Sequence, residues 1–493
     1  MFEFGEWLPD LPPLNNPGLI LAKNVVPSDK TYTPFYSIAP QTDAIDGAAS
    51  GYLSGQDDES NTFNFTGDTS KLYSLTTAAW GDVSKVGGYA TATEGGWEFT
   101  QFGQTVIATN LADTMQTWTL GTSTVFTDIV ATTGTAPKAK FITTFNNAFL
   151  FVAHTDDAVD GVVPTRVRWP GINSYDSWEL SSTTLSNQVD LETRFGEITN
   201  LATSDNIYFF QEKAITVASP TSDRTVFRFD RIIENKGVTA PKSVINMGAE
   251  LAFLSDDGFY ILSAGKLIPI SNGKIDKFFL NDYQADFYYR IVGGWDPIKK
   301  LLYWAYPGAQ AVAGRPNRLL IYNYSSNATK RWTIIYGEYN YICTYASPGY
   351  SLDDLDQFGT MDTLPYSLDS RAWTGGAISF AAFGEDNKLG TFSATPKSAE
   401  LISGETQLNP KGKTLVTKVR PIFNGSATLS SCLGYRDLQN EDISFTPANT
   451  MNSQGEVAFR NNSRYQSIKV ATTGDFDDLI GVEIVKASAR GDR

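Results

Sequence analysis

What this 493-residue chain has least of is ligand chemistry: one histidine, two cysteines and five methionines. Two cysteines, Cys343 and Cys432, exclude a disulfide scaffold, and free thiols are the expectation. The usual zinc sites need several His and Cys ligands, which cannot be assembled here. A Ser-His-Asp triad would have to use His154, and no Gly-x-Ser-x-Gly elbow accompanies it. His154 therefore reads as a strand-end residue beside a polar loop. Charge is sparse at 19% and leans acidic, 54 Asp and Glu against 39 Lys and Arg, a net charge of −15. That balance argues against a broad phosphate-gripping surface, which needs clustered cations. The longest apolar runs, such as Ala148–Ala153, fall far short of the ~20 residues of a membrane-spanning helix. The opening MFEFGEW has no basic region followed by an apolar core, so no signal peptide and synthesis in the cytoplasm are expected.

What is abundant is strand and turn material. Aromatics make up 13% of the chain, with 30 Phe, 23 Tyr and 10 Trp, and there are 41 glycines. Aromatic and β-branched side chains suit a pleated, half-buried surface. An apolar strand, polar turn, apolar strand pattern recurs, with turns near Asp58, Gln104, Asn147, Asp205, Ala249, Pro297 and Asp386. Most gaps are ~45 residues, the length of a propeller blade, and the last is about double. Further strands follow several turns, among them DGFYILS and KLIPIS after Ala249, RLLIYNY and RWTIIYG after Pro297, and TPKSAELIS after Asp386. Four short strands per unit is the blade plan. Asn146-Asn147, Asp257-Gly258 and Asn272-Gly273 suit turn positions with positive φ. The expectation is an all-β protein: a β-propeller of about seven blades, within six to eight, and a smaller β-sheet or sandwich. A large sandwich or a pair of barrels is the rival, disfavoured by the even spacing.

The expected organisation is an extended strap over 1–46, a propeller over 47–403 with a long insertion near 338–376, and a β platform over 404–493 that the strap joins. The strap is unusual, with five prolines before Lys30 among large apolar side chains. Proline removes backbone donors and disfavours helix before it, so this piece suits an edge or a surface lay-down. Trp7, Leu8, Leu11, Pro12 and Leu14 are its candidate subunit or ring contacts.

Other motifs carry little. Gly412–Thr414 matches the end of a phosphate loop, but Gln407 stands where its first glycine belongs. Asp353, Asp354, Asp356 and Asp362 fail as a calcium loop, because Phe358 and Pro365 fall on ligand positions. Ser255–Gly258 reads as a hairpin turn. Arg224, Phe227, Arg228, Phe229 and Arg231 alternate as one solvated strand face, with a conduit lining or subunit contact as the sharper alternative. No catalytic, cofactor or metal residue is assigned.

Two blocks resemble a family. They are Trp7–Leu14 with Ala22–Pro27, Tyr32 and Pro34, and Ser351–Asp356 with Ser367–Gly375 and the strand residues Ala382, Phe383 and Leu389–Phe392. Together they resemble the tail nozzle or hub proteins of short-tailed bacteriophages, often labelled packaged-DNA stabilisation proteins. The resemblance implies a structural, non-enzymatic part of the virion tail, usually a ring of six copies below the portal's adaptor. Such a ring continues the DNA exit channel and retains the genome until ejection. Implied partners are further copies of itself, the adaptor or head-to-tail connector, tail fibres, and duplex DNA passing without sequence-specific binding. The alternative from the residues is a propeller that binds or degrades host glycans.

Overall fold

The computed structural model describes residues 2–221, 226–347, 367 and 376–490. Seven four-stranded antiparallel blades follow one another over 51–82, 98–128, 138–190, 198–234, 245–269, 292–336 and 339–396. Their innermost strands lie side by side around a central channel, and that of blade 7 packs next to that of blade 1. The chain is therefore an all-β protein built on a seven-bladed β-propeller. The turn chemistry agrees: Asn146 and Asn147 both take φ of 51° in the first hairpin of blade 3.

Blade 7 is assembled from both ends of the propeller. Its strands Tyr339–Ala346, Ile378–Gly384 and Lys388–Pro396 come from one end, and its outermost strand, Tyr36–Ala44, comes from the other. This places Tyr36–Ala44 outside the strap region in which it was expected. The double spacing also has its explanation here. The segment after Ala346 replaces a tight first turn, so Asp386 marks the second hairpin of blade 7. Strand Ala399–Ser403, expected as propeller, instead pairs with Tyr465–Thr473 in the platform, because the blade already has its fourth strand.

The platform is two packed sheets. One runs Ala399–Ser403, Tyr465–Thr473, Thr428–Arg436, with two short strands on its edge. The other runs Val457–Ser463, Thr414–Gly425, Phe476–Ala489, Tyr32–Pro34, Val25–Pro27, and Phe2–Glu3 also pairs with Phe476–Ala489. The strap is thus woven into the platform. Its strand Leu19–Lys23 also lies between the outermost strand of blade 6, Trp332–Tyr336, and Ala399–Ser403. One continuous sheet of ten strands then passes from propeller to platform. Asn24, at φ 59°, fixes the crossing point. Its amide nitrogen donates to the Ser398 carbonyl at 2.8 Å, and its oxygen accepts from the Tyr336 N–H at 2.9 Å.

The apolar side chains of the strap close a core shared by three parts of the chain. Trp7 and Leu19 from the strap, Trp304 and Trp332 from blade 6, and Leu401, Val416 and Val482 from the platform are all buried in one cluster. Trp7 packs edge-on against Phe278 at 5.0 Å, and its indole N–H donates to the Ile20 carbonyl at 3.3 Å. Asp10 caps a helix from outside. Its carboxylate accepts from the Lys277 and Phe278 N–H groups at 2.9 and 2.8 Å, in the first turn of Asp276–Asp282. That helix has Ile275 at its own cap position, which offers no acceptor, so the strap supplies the missing one. Where the strap crosses itself, Leu19 N–H donates to the Glu6 carbonyl at 2.8 Å. Only a glycine fits at position 18, because a Cβ there would run into the Glu6 carbonyl.

Lys330 is also buried in this junction. Its ammonium donates to the Lys30 carbonyl and lies 5.2 Å from the centre of the Tyr32 ring. Burial lowers its pKa to about 8, partly offset by the Glu3 carboxylate.

Two outcomes follow from this packing. Trp7→Ala should destabilise the chain by about 3–5 kcal/mol in urea unfolding, the range for removing a buried aromatic. Lys330 gives a pH signature. Between about pH 8 and 10.4 the unfolded chain holds a proton on this lysine that the folded chain has released. Stability should therefore rise with pH across that window relative to Lys330→Met, by less than the full shift implies because solvent screens part of it, in denaturant midpoints measured on both proteins.

Candidate functional site in the propeller channel

The inner strands expose alternate side chains to the channel, and polar ones gather there. At the end where these strands begin, Glu98 opens the inner strand of blade 2 and Lys140 sits near the start of that of blade 3. Lys242 reaches in from the 3-10 turn Pro241–Ser243 ahead of blade 5. Its ammonium donates to the Ser50 carbonyl of the opposite wall and lies 5.6 Å from the centre of the Tyr341 ring. Burial raises the pKa of the Glu98 carboxyl, partly offset by Lys242 and Lys140. Burial lowers that of Lys242, with Glu98 opposing the shift.

The segment Ala285–Arg290, between blades 5 and 6, brings Tyr288 and Tyr289 to the same mouth. The Tyr288 hydroxyl is raised above its ordinary pKa first by burial, then by the carboxylates of Glu94, Glu197 and Glu212. His154 stands beside this rim. It is buried at φ 56°, where a bulge separates Ala153 from Thr155. Its Nδ1 lies 3.8 Å from Glu197, and burial lowers its pKa, so the ring is neutral at pH 7. Nδ1 makes no hydrogen bond, so Glu197 does not hold the ring in the way a triad carboxylate holds its histidine.

Deeper in the channel is a cavity of about 660 Å³ between blades 5, 6, 7, 1 and 2. Tyr52, Gln56, Gln101, Asn246, Trp295 and Cys343 line it. Burial raises the Cys343 thiol well above its ordinary pKa, which keeps it protonated and unreactive. The other thiol, Cys432, is partly exposed, and neither is in a disulfide.

The strap residues do not join this site. Trp7 is fully buried inside its own chain, so it anchors the strap and cannot touch a neighbouring subunit. Leu8 and Leu14 are half-buried, whereas Leu11 and Pro12 are exposed. Phe227 and Phe229 turn inward onto Trp169 of blade 3, while the Arg228 side chain faces out and pairs with Asp230. Arg231 is held by Glu192 and Glu234. Arg224 and the acidic run from Asp353 to Asp362 lie outside the described residues. Among the described residues, no group of three or more His, Cys, Asp or Glu is placed to hold a metal ion, and no helix is long and apolar enough to cross a membrane.

The channel cluster escaped the sequence reading because its members, from Glu98 to Tyr289, sit on four different blades or linkers. The available signal was charge entering the start of a largely uncharged inner strand, one in WEFTQF and two in KAKFITTF.

No family model and no curated protein matches the sequence. Solved structures resemble it in fold. A chain of the mitotic checkpoint complex is 11% identical, with a TM-score of 0.41, over 73% of this chain and 97% of that one. The extracellular domain of a putative one-component system from B. thetaiotaomicron is 10% identical, with a TM-score of 0.40, over 92% of this chain and 58% of that one.

The thiols give a direct check on the channel. In the native protein Cys432 should react with an excess of a thiol reagent while Cys343 stays unmodified until denaturant is added, as peptide mass mapping would show.

Proposed function

We propose that the chain is a structural subunit of a phage tail machine, a nozzle or hub that forms a ring below the portal's adaptor. In this reading the ring continues the DNA exit channel and retains the packaged genome until ejection. The observation that carries it is the weld between propeller and platform. A ring closed on packaged DNA bears the force of that DNA's self-repulsion, so its subunits must transmit load without a soft hinge. A ten-stranded sheet running through both parts, locked by a buried strap, meets that demand.

Two further properties support the reading. The net charge of −15 disfavours adhesion of DNA phosphates to a lumen of matching sign. Lys242, Tyr289 and Tyr341 occupy the mouth of the propeller's own channel, which fits a reading in which the DNA path runs between copies. Leu11 and Pro12 are exposed on the strap and Leu8 and Leu14 are half-exposed, so these four members of the candidate contact set are available to a neighbour. Its partners in this role are copies of itself, the adaptor, and tail fibres, and its place is the virion tail.

Electron microscopy of the full-length protein mixed with portal–adaptor complexes tests the proposal. Ring density should be added below the adaptor, and a chain lacking residues 1–16 should add none. Absence of added density with the intact, folded protein would overturn it.

A further inference from the structure

The channel mouth where the inner strands begin holds a cavity of about 200 Å³. This is smaller than the about 300–1,000 Å³ of pockets for drug-sized ligands, so an occupant must be small. Leu111, Phe141 and the Tyr289 ring give it apolar walls, and Gly95 and Gly96 leave the space open. Four charges face it, two of each sign: Glu94 at the lip, Glu98 inside, and Lys140 and Lys242.

Two of these charges have hydrogen-bond partners within the protein and two do not. Lys242 donates to the Ser50 carbonyl, and Glu94 interacts with Tyr288. The side chains of Glu98 and Lys140 feel each other and Lys242 through space, without a direct hydrogen bond or close ion pair to any described residue. Half-buried charges left in this state are costly, and a ligand carrying the complementary groups relieves the cost. A simple anion would meet the two carboxylates, and a simple cation the two ammoniums. A sugar would set its hydroxyls against apolar walls.

We propose that this cavity binds a small apolar α-amino acid as its zwitterion. The ligand's carboxylate faces Lys140 and Lys242, its ammonium faces Glu98, and its side chain lies among Leu111, Phe141 and Tyr289. Two charges of each sign around a neutral zwitterion leave no net charge in the cavity. The inference is independent of the proposed tail function, since it concerns the interior of one propeller.

Calorimetric titration of the full-length protein with L-leucine, 4-methylpentanoate and 3-methylbutylamine tests it. These probes share the branched side chain and differ only in the charged groups. Leucine should bind at least about tenfold more tightly than either analogue, the scale of one charge-assisted hydrogen bond. Glu98→Gln and Lys140→Met should each weaken leucine by about tenfold or more, and Glu98→Gln should spare 4-methylpentanoate. Thermal melts establish that each variant is folded, and if one is not, the other carries the comparison. The proposal is overturned if leucine fails to bind, if the analogues bind equally well, or if folded variants bind leucine unchanged. The contrast among the three probes on the unmutated protein decides the matter should neither variant fold.

Discussion

Burial of the strap's apolar face is the constraint on which the rest of the molecule depends. Before it docks, the outer side of blades 5 and 6 and the inner sides of the platform sheets present aromatic and aliphatic surface that no other described segment covers. Trp7, Leu19 and Tyr32 fill that gap. The hydrogen bonds made by Asp10, Asn24 and Tyr32 then satisfy the polar atoms that burial removes from water. The polar pairing is what makes the apolar burial affordable, since an unmatched backbone donor or acceptor in that cluster would cost about as much as the gain from a buried methyl pair. Proline serves the same end. A segment poor in backbone donors can lie across a sheet edge without leaving N–H groups stranded.

The channel follows the opposite rule. Its mouth carries half-buried charges that form no close ion pair with one another, and burial moves two of them toward their neutral forms, Glu98 upward and Lys242 downward. Stability would favour apolar replacements there, as it does for many buried ion pairs. Polarity in so costly a place is what the proposed ligand would offset. His154, strained at positive φ and neutral beside Glu197, belongs to the same rim.

Much of the fold was legible in the sequence, because a blade is a local object. Hairpins such as those at Asn147 and Asp257 are written in adjacent residues, and their period survives in a single chain. The join between propeller and platform was less legible. Nothing in Tyr36–Ala44 states that it pairs with Lys388–Pro396, and nothing in Ala399–Ser403 states that it leaves the propeller. Both facts are set by which edge is free once the other strands have formed. Trp7 shows the same limit: its size and its proline-rich setting signalled a contact, but not whether its partner lay in the same chain. The channel cluster was less legible still, since Glu98, Lys140 and Lys242 meet only when blades 2, 3 and 5 are in the ring.

The two long-range closures are coupled, and the coupling shapes how the chain must fold. The strand that completes blade 7 and the strand that enters the platform are separated only by the short stretch from Lys23 to Tyr36. Each pairs with segments more than three hundred residues away, and Asn24 bonds to both Ser398 and Tyr336. Contacts of such sequence separation form late, since the entropy of closing the loop is lost before they contribute. Blades 1 to 6 can organise from local hairpins, whereas the closed ring and the platform must arrive together. Until then blade 7 lacks its edge strand and the platform lacks its strap, leaving two open edges that invite pairing with other chains. Placing both closures within one N-terminal segment removes these edges in a single step, so the rigidity of the finished body and its protection from misassembly have the same physical origin.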